Sequence, residues 1–363
     1  MIVFWAGLVA VILSFGISFL ATPLAGRVAN RFGLIDIPGR HKAHVGPTPL
    51  LGGCAIFAAI LGPSLLALAM ATLWANTSVP FWLPESISRH VAGAAEKATM
   101  GVAILGGAFI LHVVGIIDDR YALGPWAKLA AQIVVCSVVV IWFDVRILTI
   151  AGPAVSCTLS IIWLVLITNS FNFLDNMDGL SAGVAAICCL ALLGASASIG
   201  QIFVTAWVCL MLGSLLGFLI WNFPPAKIFM GDAGSLVIGY MMGVLSCLTT
   251  YVQWGQPHYL YGMFVPVVLL AMPLYDTLSV IIIRLREGRN PMIGDRHHFS
   301  HRLLRRGMSV RSTVLTIYMV TAATAIAATL LSRVADSLGA ILILVQTIAI
   351  LAVVALLELG DAK

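Results

Sequence analysis

The chain has 363 residues, 61% of them hydrophobic and only 10% charged, and its mean hydropathy is +1.05. Windows of about 18 or more nearly uncharged residues recur along it and are typical of transmembrane helices, because backbone groups in lipid must be hydrogen-bonded within the segment. The alternating segments of a membrane β-barrel do not occur. We therefore predict an all-α polytopic integral membrane protein with residues 1–363 as a single transmembrane catalytic domain, and the modest net charge of +5 leads us to expect no nucleic-acid partner.

Hydropathy predicts eleven membrane-spanning helices along the chain. The first one lacks the basic start of a cleaved signal peptide, so we expect it to remain as a helix. The predicted spans are, to within a few residues, 2–22, 50–73, 98–116, 128–145, 154–170, 179–198, 201–220, 234–254, 263–284, 313–331 and 338–357.

Lys and Arg are divided unevenly between the two sets of loops that these spans define. Sixteen of the twenty lie on one side, and the other side has only Arg89, Lys97, Arg146 and Arg333. Cytoplasmic loops are enriched in Lys and Arg, so the N-terminus is predicted outside and the C-terminus inside the plasma (inner) membrane. The same orientation, drawn from basic residues alone, places six acids on the cytoplasmic side: Asp118, Asp119, Asp175, Asp178, Asp232 and Asp295.

The first acidic pair, Asp118 and Asp119, ends the third predicted span. Adjacent carboxylates repel each other, and carboxylates beside an apolar segment need a partner, a metal or a function. Lys128, nine residues after the pair, is either a counter-charge or phosphate ligand, or an ordinary positive-inside anchor. The competing interpretation of the two acids is a solvated loop.

Asn169, Asn172, Asp175 and Asp178 follow one another at intervals of three residues, which predicts that they share one helical face. Hard oxygen donors suit Mg²⁺, which takes one or two carboxylates together with waters and phosphate oxygens. A polar helix end with Asn and Asp caps before Gly179 would explain only part of this run.

The segment 222–235 leads into the eighth predicted span. Asp232 is expected at a helix N-terminus, where backbone amides also favour phosphate. Phe229 is either a platform for base stacking or an ordinary packing residue.

Two further features lie in the last third of the chain. Asp276 is an acid inside the ninth predicted span, where orienting a loop is as good an interpretation as catalysis. The loop 289–302 carries three histidines among several arginines, and guanidinium and imidazole groups suit a pyrophosphate. A zinc site there lacks a completing cysteine or acidic cluster, and anionic-lipid binding explains the arginines but not the histidines.

Five sequence blocks, in their order along the chain, resemble the polyprenyl-phosphate N-acetylhexosamine-1-phosphate transferase family of glycosyltransferase 4 type. The segment Asp295–Arg302 is similar to the UDP-GlcNAc branch, whereas the phospho-MurNAc-pentapeptide transferases carry a triple histidine. Ser300 stands where the former branch usually has a second histidine. The blocks are Asp36–Pro38 with Pro47–Gly53, Asp118–Asp119, Asn172–Leu180, Phe229–Ser235 and Asp295–His301.

The resemblance implies transfer of GlcNAc-1-phosphate or another N-acetylhexosamine-1-phosphate from a UDP-sugar to polyprenyl (undecaprenyl) phosphate. UMP is released at the cytoplasmic face, and the lipid product starts a cell-envelope polysaccharide. The implied cofactor is Mg²⁺, with Mn²⁺ as a substitute, and a homodimer is left open. The implied residues are Asp118, Asp119, Lys128, Asp175, Asp178, His298 and His301 in catalysis; Lys42, His44, Asn172, Asn222, Phe229, Arg296 and Arg302 in substrate binding; and Asp232, Asn172 and Asp175 as metal ligands.

Three alternatives stay open beside this one. A phospho-MurNAc-pentapeptide transferase shares the reaction class. A secondary transporter predicts ionisable residues at the bilayer midplane, whereas these acids lie mainly at the cytoplasmic edge. A non-catalytic lipid-binding scaffold does not require the spacing of Asn and Asp residues.

Overall fold

The structure, a computed structural model, describes residues 2–36, 46–251, 259–290, 298–334 and 336–359. Within these ranges the chain forms sixteen α-helices, one 3₁₀ turn at Thr149–Ala151 and one two-stranded ribbon of β1 (Ile35–Asp36) and β2 (Thr48–Pro49). The helices are α1 (Ile2–Phe32), α2 (Gly52–Asn76), α3 (Glu85–Ser88), α4 (Val91–Glu96), α5 (Ala98–Tyr121), α6 (Pro125–Phe143), α7 (Pro153–Leu174), α8 (Leu180–Ser198), α9 (Ile202–Asn222), α10 (Asp232–Leu248), α11 (Tyr259–Gly262), α12 (Val265–Leu269), α13 (Ala271–Arg286), α14 (Phe299–Arg305), α15 (Val310–Leu331) and α16 (Ser337–Leu359).

Nine of these helices are long and apolar enough to cross a membrane, counting only the described residues. They are α1, α2, α5, α6, α7, α8, α9, α15 and α16. The predicted class, an all-α polytopic membrane protein, is therefore confirmed. The two remaining predicted spans correspond to α10, which has 17 residues, and to α12 with α13, which are separated at Leu270. The count of eleven spans stays a prediction.

Helix α10 is the most enclosed of the long helices, because every residue from Ala233 to Ser246 is buried. It packs chiefly against α5 and α7, and also against α2. Small residues allow this close approach: a Cβ added to Gly53 of α2 would lie 2.2 Å from the backbone nitrogen of Gly234. Backbone contact of this kind is typical of helix packing in membranes.

The observed helix ends differ from the predicted ones where polar residues follow an apolar run. Helix α5 continues to Tyr121, so Asp118 and Asp119 lie in its last turn and not in a loop after it. Helix α1 likewise continues to Phe32, beyond the predicted end at residue 22. Hydropathy marks where apolar side chains stop, whereas backbone hydrogen bonding continues through the polar last turns.

The polar ends of several helices meet at one end of the bundle. The Arg120 guanidinium at the end of α5 donates a hydrogen bond to the Phe32 carbonyl at the end of α1, over 3.1 Å. In the β1–β2 ribbon, Ile35 pairs with Pro49 in antiparallel register. The Phe229 amide then donates to the Pro49 carbonyl over 2.9 Å, which holds the segment before α10 beside the ribbon.

Candidate active site

Four carboxylates gather at this end of the bundle, and we call them the acidic cluster: Asp118, Asp119, Asp175 and Asp232. They come from the last turn of α5, the residue after α7 and the first residue of α10. Three predicted segments, those that hold Asp118, Asp175 and Asp232, therefore meet at one site, as the predicted orientation of the spans requires.

Lys128, in the first turn of α6, lies between two of these carboxylates. Its ammonium donates to Asp118 Oδ2 over 3.0 Å and to Asp232 Oδ2 over 2.8 Å. The Lys128 side chain is only 21% exposed, and those of Asp118 and Asp232 are 13% and 24% exposed. Partial burial weakens solvent screening, so this lysine is a substantial counter-charge to the cluster. Of the interpretations left open for Lys128, the ion pairs show the counter-charge, and its catalytic role stays a prediction.

Asp232 is oriented by one further side-chain contact, which comes from Asn172. The Asn172 side-chain amide donates to Asp232 Oδ1 over 3.0 Å and to the Ser235 hydroxyl over 2.9 Å. Asn172 thus contacts Asp232, with which it shares the predicted set of metal ligands. The two oxygens of Asp232 consequently face two different donors, Asn172 and Lys128.

Asp119 contacts the backbone at the start of α10. Its Oδ1 accepts the amide of Asp232 over 2.8 Å and its Oδ2 accepts the amide of Ala233 over 3.2 Å. The side chain therefore supplies a cap to a helix whose own cap residue, Gly231, has no side chain to offer.

Asp175 follows the last residue of α7 and is half-buried. Desolvation, and then the negative charges of Asp232, Asp119 and Asp178, raise the pKa of Asp175 well above its ordinary value. A carboxyl in this setting favours either a proton or a bound cation.

The cluster fits a hard divalent cation on the chemistry of its donors. Asp118 Oδ1 is buried and has no hydrogen-bond partner among the described residues, which is costly unless another ligand satisfies it. Carboxylate and amide oxygens without thiolates favour Mg²⁺ or Mn²⁺. No group of three His, Cys, Asp or Glu side chains in the described ranges has the spacing of a complete metal site. Mg²⁺ sites of this kind usually take their remaining ligands from waters and substrate phosphates.

A second group of polar side chains lies beside the cluster, between α13 and the start of α14. Asp276 is buried and faces His298 Nδ1 over 2.9 Å, while its other oxygen accepts the Phe299 amide over 2.7 Å. The His298 ring meets the ring of Phe173 edge to face, with centroids 5.8 Å apart. Asp276 therefore orients the histidine segment, which is one of the two interpretations that the sequence left open.

Ser300 and Arg302 of α14 also contact other parts of the molecule. The Ser300 hydroxyl donates to Asn176 Oδ1 over 2.5 Å, which links α14 to the turn that holds Asp175. The Arg302 guanidinium donates to Ser279 Oγ and to Glu358 Oε2, each over 2.8 Å. Arg302 is thus held on α13 and α16, and its predicted contact with substrate stays a prediction.

The expectation that Asn169, Asn172, Asp175 and Asp178 share one helical face is wrong. Helix α7 ends at Leu174, so the last two residues lie beyond it. Asn169 pairs with Gln132, donating to its Oε1 over 2.5 Å, and Asp178 Oδ2 accepts the backbone amide of Ala226 over 2.9 Å. Of the four, only Asp175 belongs to the acidic cluster, and Asn172 donates to its member Asp232.

Asn222, which is predicted to bind substrate, contacts two backbone segments of the protein. Its Oδ1 accepts the Gly179 amide over 2.9 Å and its Nδ2 donates to the Ile228 carbonyl over 2.8 Å. With Asp178, it fixes the segment between α9 and α10. The prediction that Asn222 contacts substrate gains no support from these contacts.

Two of the remaining predicted residues, His301 and Phe229, are described by the structure, and three lie outside the described residues. His301 is half-buried on α14, and Phe229 is half-buried with its carbonyl accepting the Gly52 amide over 2.9 Å. Lys42, His44 and Arg296 lie outside the described residues.

Sequence reasoning missed Glu358, Ser235 and His112. Glu358 is near the end of the chain and far in sequence from Arg302, so no spacing pattern could connect them. His112 is a buried histidine in an apolar helix, and its Nδ1 lies 2.8 Å from the Ala233 carbonyl. A polar residue inside a transmembrane segment is a signal of a required contact, and that signal was available at His112.

The helices and the acidic cluster define a polytopic membrane protein with an oxygen-rich polar site at one end of its bundle. The sequence model of Glycosyl transferase family 4 matches residues 101–250. The chain is 32% identical over 320 residues to the Bacillus subtilis protein named "Probable undecaprenyl-phosphate N-acetylglucosaminyl 1-phosphate transferase", which covers 86% of this chain and 81% of that protein.

Two other relatives agree with this match. A decaprenyl-phosphate N-acetylglucosaminephosphotransferase of Mycolicibacterium smegmatis is 33% identical over 329 residues, covering 84% of this chain and 76% of the relative. An undecaprenyl-phosphate alpha-N-acetylglucosaminyl 1-phosphate transferase of Escherichia coli (strain K12) is 26% identical over 323 residues, covering 84% and 79%. The chain belongs to glycosyl transferase family 4, and the resemblance drawn from its motifs is confirmed.

Proposed function

We propose that this protein transfers GlcNAc-1-phosphate from UDP-GlcNAc to a polyprenyl phosphate, giving a polyprenyl-diphosphate-GlcNAc and UMP. The observation that carries the proposal is the acidic cluster itself, in which Lys128 lies between Asp118 and Asp232 at one end of a membrane bundle. The names of the relatives from Bacillus subtilis and Mycolicibacterium smegmatis support the sugar and the lipid class.

The reaction joins two anions, so its barrier is dominated by charge repulsion. An oxygen of the polyprenyl phosphate attacks the β-phosphorus of the UDP-sugar, the bond from that phosphorus to the oxygen bridging the two phosphates breaks, and UMP leaves. The bond between the sugar C1 and its oxygen stays intact, so the anomeric configuration is retained. Fixed positive charge and hydrogen-bond donors lower such a barrier because they need no reorganisation during the reaction.

Lys128, Asp118 and His298 each have a different role in this reaction. Lys128 contributes positive charge between Asp118 and Asp232, where a substrate phosphate approaches. Asp118 orients the lipid phosphate or accepts its proton. His298, held on Asp276 through Nδ1, presents its other ring nitrogen toward the pyrophosphate of the bound UDP-sugar.

Asp232, Asp175 and Asn172 would hold Mg²⁺, with Mn²⁺ as a substitute. The ion, when bound, supplies Lewis-acid polarisation of phosphate oxygens and neutralises developing negative charge. Asn172 donates to Asp232 Oδ1 and to the Ser235 hydroxyl together, which keeps Asp232 in one orientation.

We further infer that the acidic cluster lies on the cytoplasmic side of the inner membrane, since UDP-sugars are made in the cytoplasm. Two of the residues at this end of the bundle, Arg120 and Lys227, belong to the sixteen basic residues that the positive-inside rule assigns to the cytoplasm. Membrane lipid surrounds the bundle, and a homodimer stays a prediction.

The test is a turnover assay with purified protein, polyprenyl phosphate and a panel of UDP-sugars. We expect UMP release only when both substrates are present, fastest with UDP-GlcNAc, and abolished by EDTA. Asp232→Asn should lose most of this activity, whereas Asp336→Asn, a carboxylate at the start of α16 away from the cluster, should not. UMP release in metal-free buffer would contradict the metal assignment.

The same panel separates the alternatives. A preference for UDP-MurNAc-pentapeptide would indicate the peptidoglycan enzyme of the same reaction class. A transporter or a lipid-binding scaffold predicts no UMP from any donor, and that result would reject the proposal.

A further inference from the structure

Adjacent carboxylates, Asp118 and Asp119, have different surroundings in the last turn of α5. Asp118 accepts from Lys128, and its Oδ1 has no hydrogen-bond partner among the described residues. Asp119 instead uses both of its oxygens on the backbone amides of Asp232 and Ala233. Successive residues on a helix point about 100° apart, and the two acids accordingly meet different donors, the Lys128 ammonium and the backbone of α10.

Asp119 belongs to a stripe on α5 that meets the first turn of α10. His112, Gly115 and Asp119 follow at helical spacing and lie on one face. His112 Nδ1 lies 2.8 Å from the Ala233 carbonyl, and a Cβ added to Gly115 would lie 2.4 Å from the Asp232 carbonyl oxygen. Three contacts from one helix face therefore fix the backbone on which Asp232 stands.

Gly231 completes this arrangement from the other side. Its φ of +70° lies in the left-handed region that favours glycine. A Cβ at this position would lie 2.4 Å from Asp119 Oδ2, so a side chain would push the carboxylate away from the amides. Gly231 therefore leaves the space that Asp119 needs to reach the two backbone amides.

We propose that Asp119 is a positioning residue that fixes the first turn of α10, and with it Asp232, while Asp118 is the member of the pair that faces the reacting phosphate. In this assignment Asp119 is neither the base nor a phosphoryl-enzyme nucleophile, because each of its oxygens accepts a backbone amide of α10, and turning the carboxylate toward a phosphorus would weaken that cap. This inference rests on the proposed function for the role of Asp118 and on geometry alone for the role of Asp119.

The cap is tested by hydrogen–deuterium exchange on the full-length protein in lipid nanodiscs without added metal. Asp119→Asn replaces one acceptor by a donor, so the amides in the first turn of α10 should exchange about tenfold faster. Asp118→Asn, the matched control, removes the same charge one residue away and should leave that exchange unchanged. Equal exchange in Asp119→Asn and the wild type would overturn the proposal.

A second variant keeps both carboxylates. Gly231→Ala places a methyl group against Asp119 Oδ2 and should also speed exchange in the first turn of α10. Part of its effect is backbone strain, so the comparison is a double-mutant cycle: Gly231→Ala should have a smaller effect in the Asp119→Asn background than in the wild type. Fully additive effects would show that the two residues act separately and would overturn the proposal.

Kinetics separate positioning from chemistry. Asp119→Asn should raise the Mg²⁺ concentration for half-maximal UMP release, with kcat at saturating metal reduced less than in Asp118→Asn. Asp118→Asn should lower kcat at every Mg²⁺ concentration. The reverse pattern would assign the chemistry to Asp119. If the wild type itself releases no UMP, the proposed function fails, while the exchange measurement still decides whether Asp119 is the cap.

Discussion

Replacing Lys128 by methionine removes the only side chain that the structure places between Asp118 and Asp232, within the described part of the protein. Methionine keeps the unbranched stem of the lysine side chain without the ammonium group. The two lost contacts, at 3.0 and 2.8 Å, are charge-assisted hydrogen bonds. Each contributes about 1.5–3 kcal/mol when well desolvated. Because the Lys128 side chain is 21% exposed, we take the lower end and expect a loss of about 3 kcal/mol in the free energy of unfolding.

The assay is denaturant titration of the folded protein in lipid–detergent micelles, with and without Mg²⁺. A divalent cation offsets the repulsion between the freed carboxylates, so Mg²⁺ should recover part of the loss in Lys128→Met. Lys227→Met is the matched control, because Lys227 is exposed and its ammonium lies over the Trp221 ring at 5.3 Å. The reasoning is refuted if the two variants lose the same stability, or if Mg²⁺ has no larger effect on Lys128→Met than on the wild type.

The remaining predictions concern the histidine segment and the orientation. Asp276→Asn keeps an acceptor for the Phe299 amide but turns a donor toward His298, so kcat should fall roughly tenfold or more with little change in expression. Asp276→Glu should recover part of the lost kcat, and wild-type turnover in Asp276→Asn would exclude an orienting role. Single cysteines placed at Arg89 and Arg333, the external positions, should react with a membrane-impermeant reagent on intact cells. Cysteines at Arg120 and Lys227, the cytoplasmic positions, should not react, and labelling at either one would overturn the orientation.

The sequence predicted the parts of the site that depend on a short range along the chain. Asp118, Lys128 and Asp232 each lie at the boundary of a predicted apolar span, where an unpaired charge is costly. Their convergence followed from the orientation of the spans, which depends only on the distribution of Lys and Arg. The class of fold was predictable for the same reason, because membrane thickness and backbone hydrogen bonding leave few alternatives.

What the sequence did not predict depends on where a helix ends in space and which distant groups meet there. The interval of three residues suggested that Asp178 lies on the face of Asn172, but α7 stops at Leu174 and the turn after it directs Asp178 to the Ala226 amide. The contact of Glu358 with Arg302 joins the last helix to α14, and no local pattern encodes it. The capping role of Asp119 was hidden for the same reason, since its partner amides are 113 and 114 residues away.

The measurement that tests the proposed reaction most directly follows the β-phosphorus of the donor. UDP-GlcNAc labelled at that atom is incubated with the purified protein, polyprenyl phosphate and Mg²⁺, and the lipid and aqueous fractions are separated. Transfer of sugar-1-phosphate predicts that the label enters the lipid as a diphosphate while unlabelled UMP appears in the aqueous fraction. Label that remains in water-soluble UDP, with the sugar attached to a lipid monophosphate, would contradict the account.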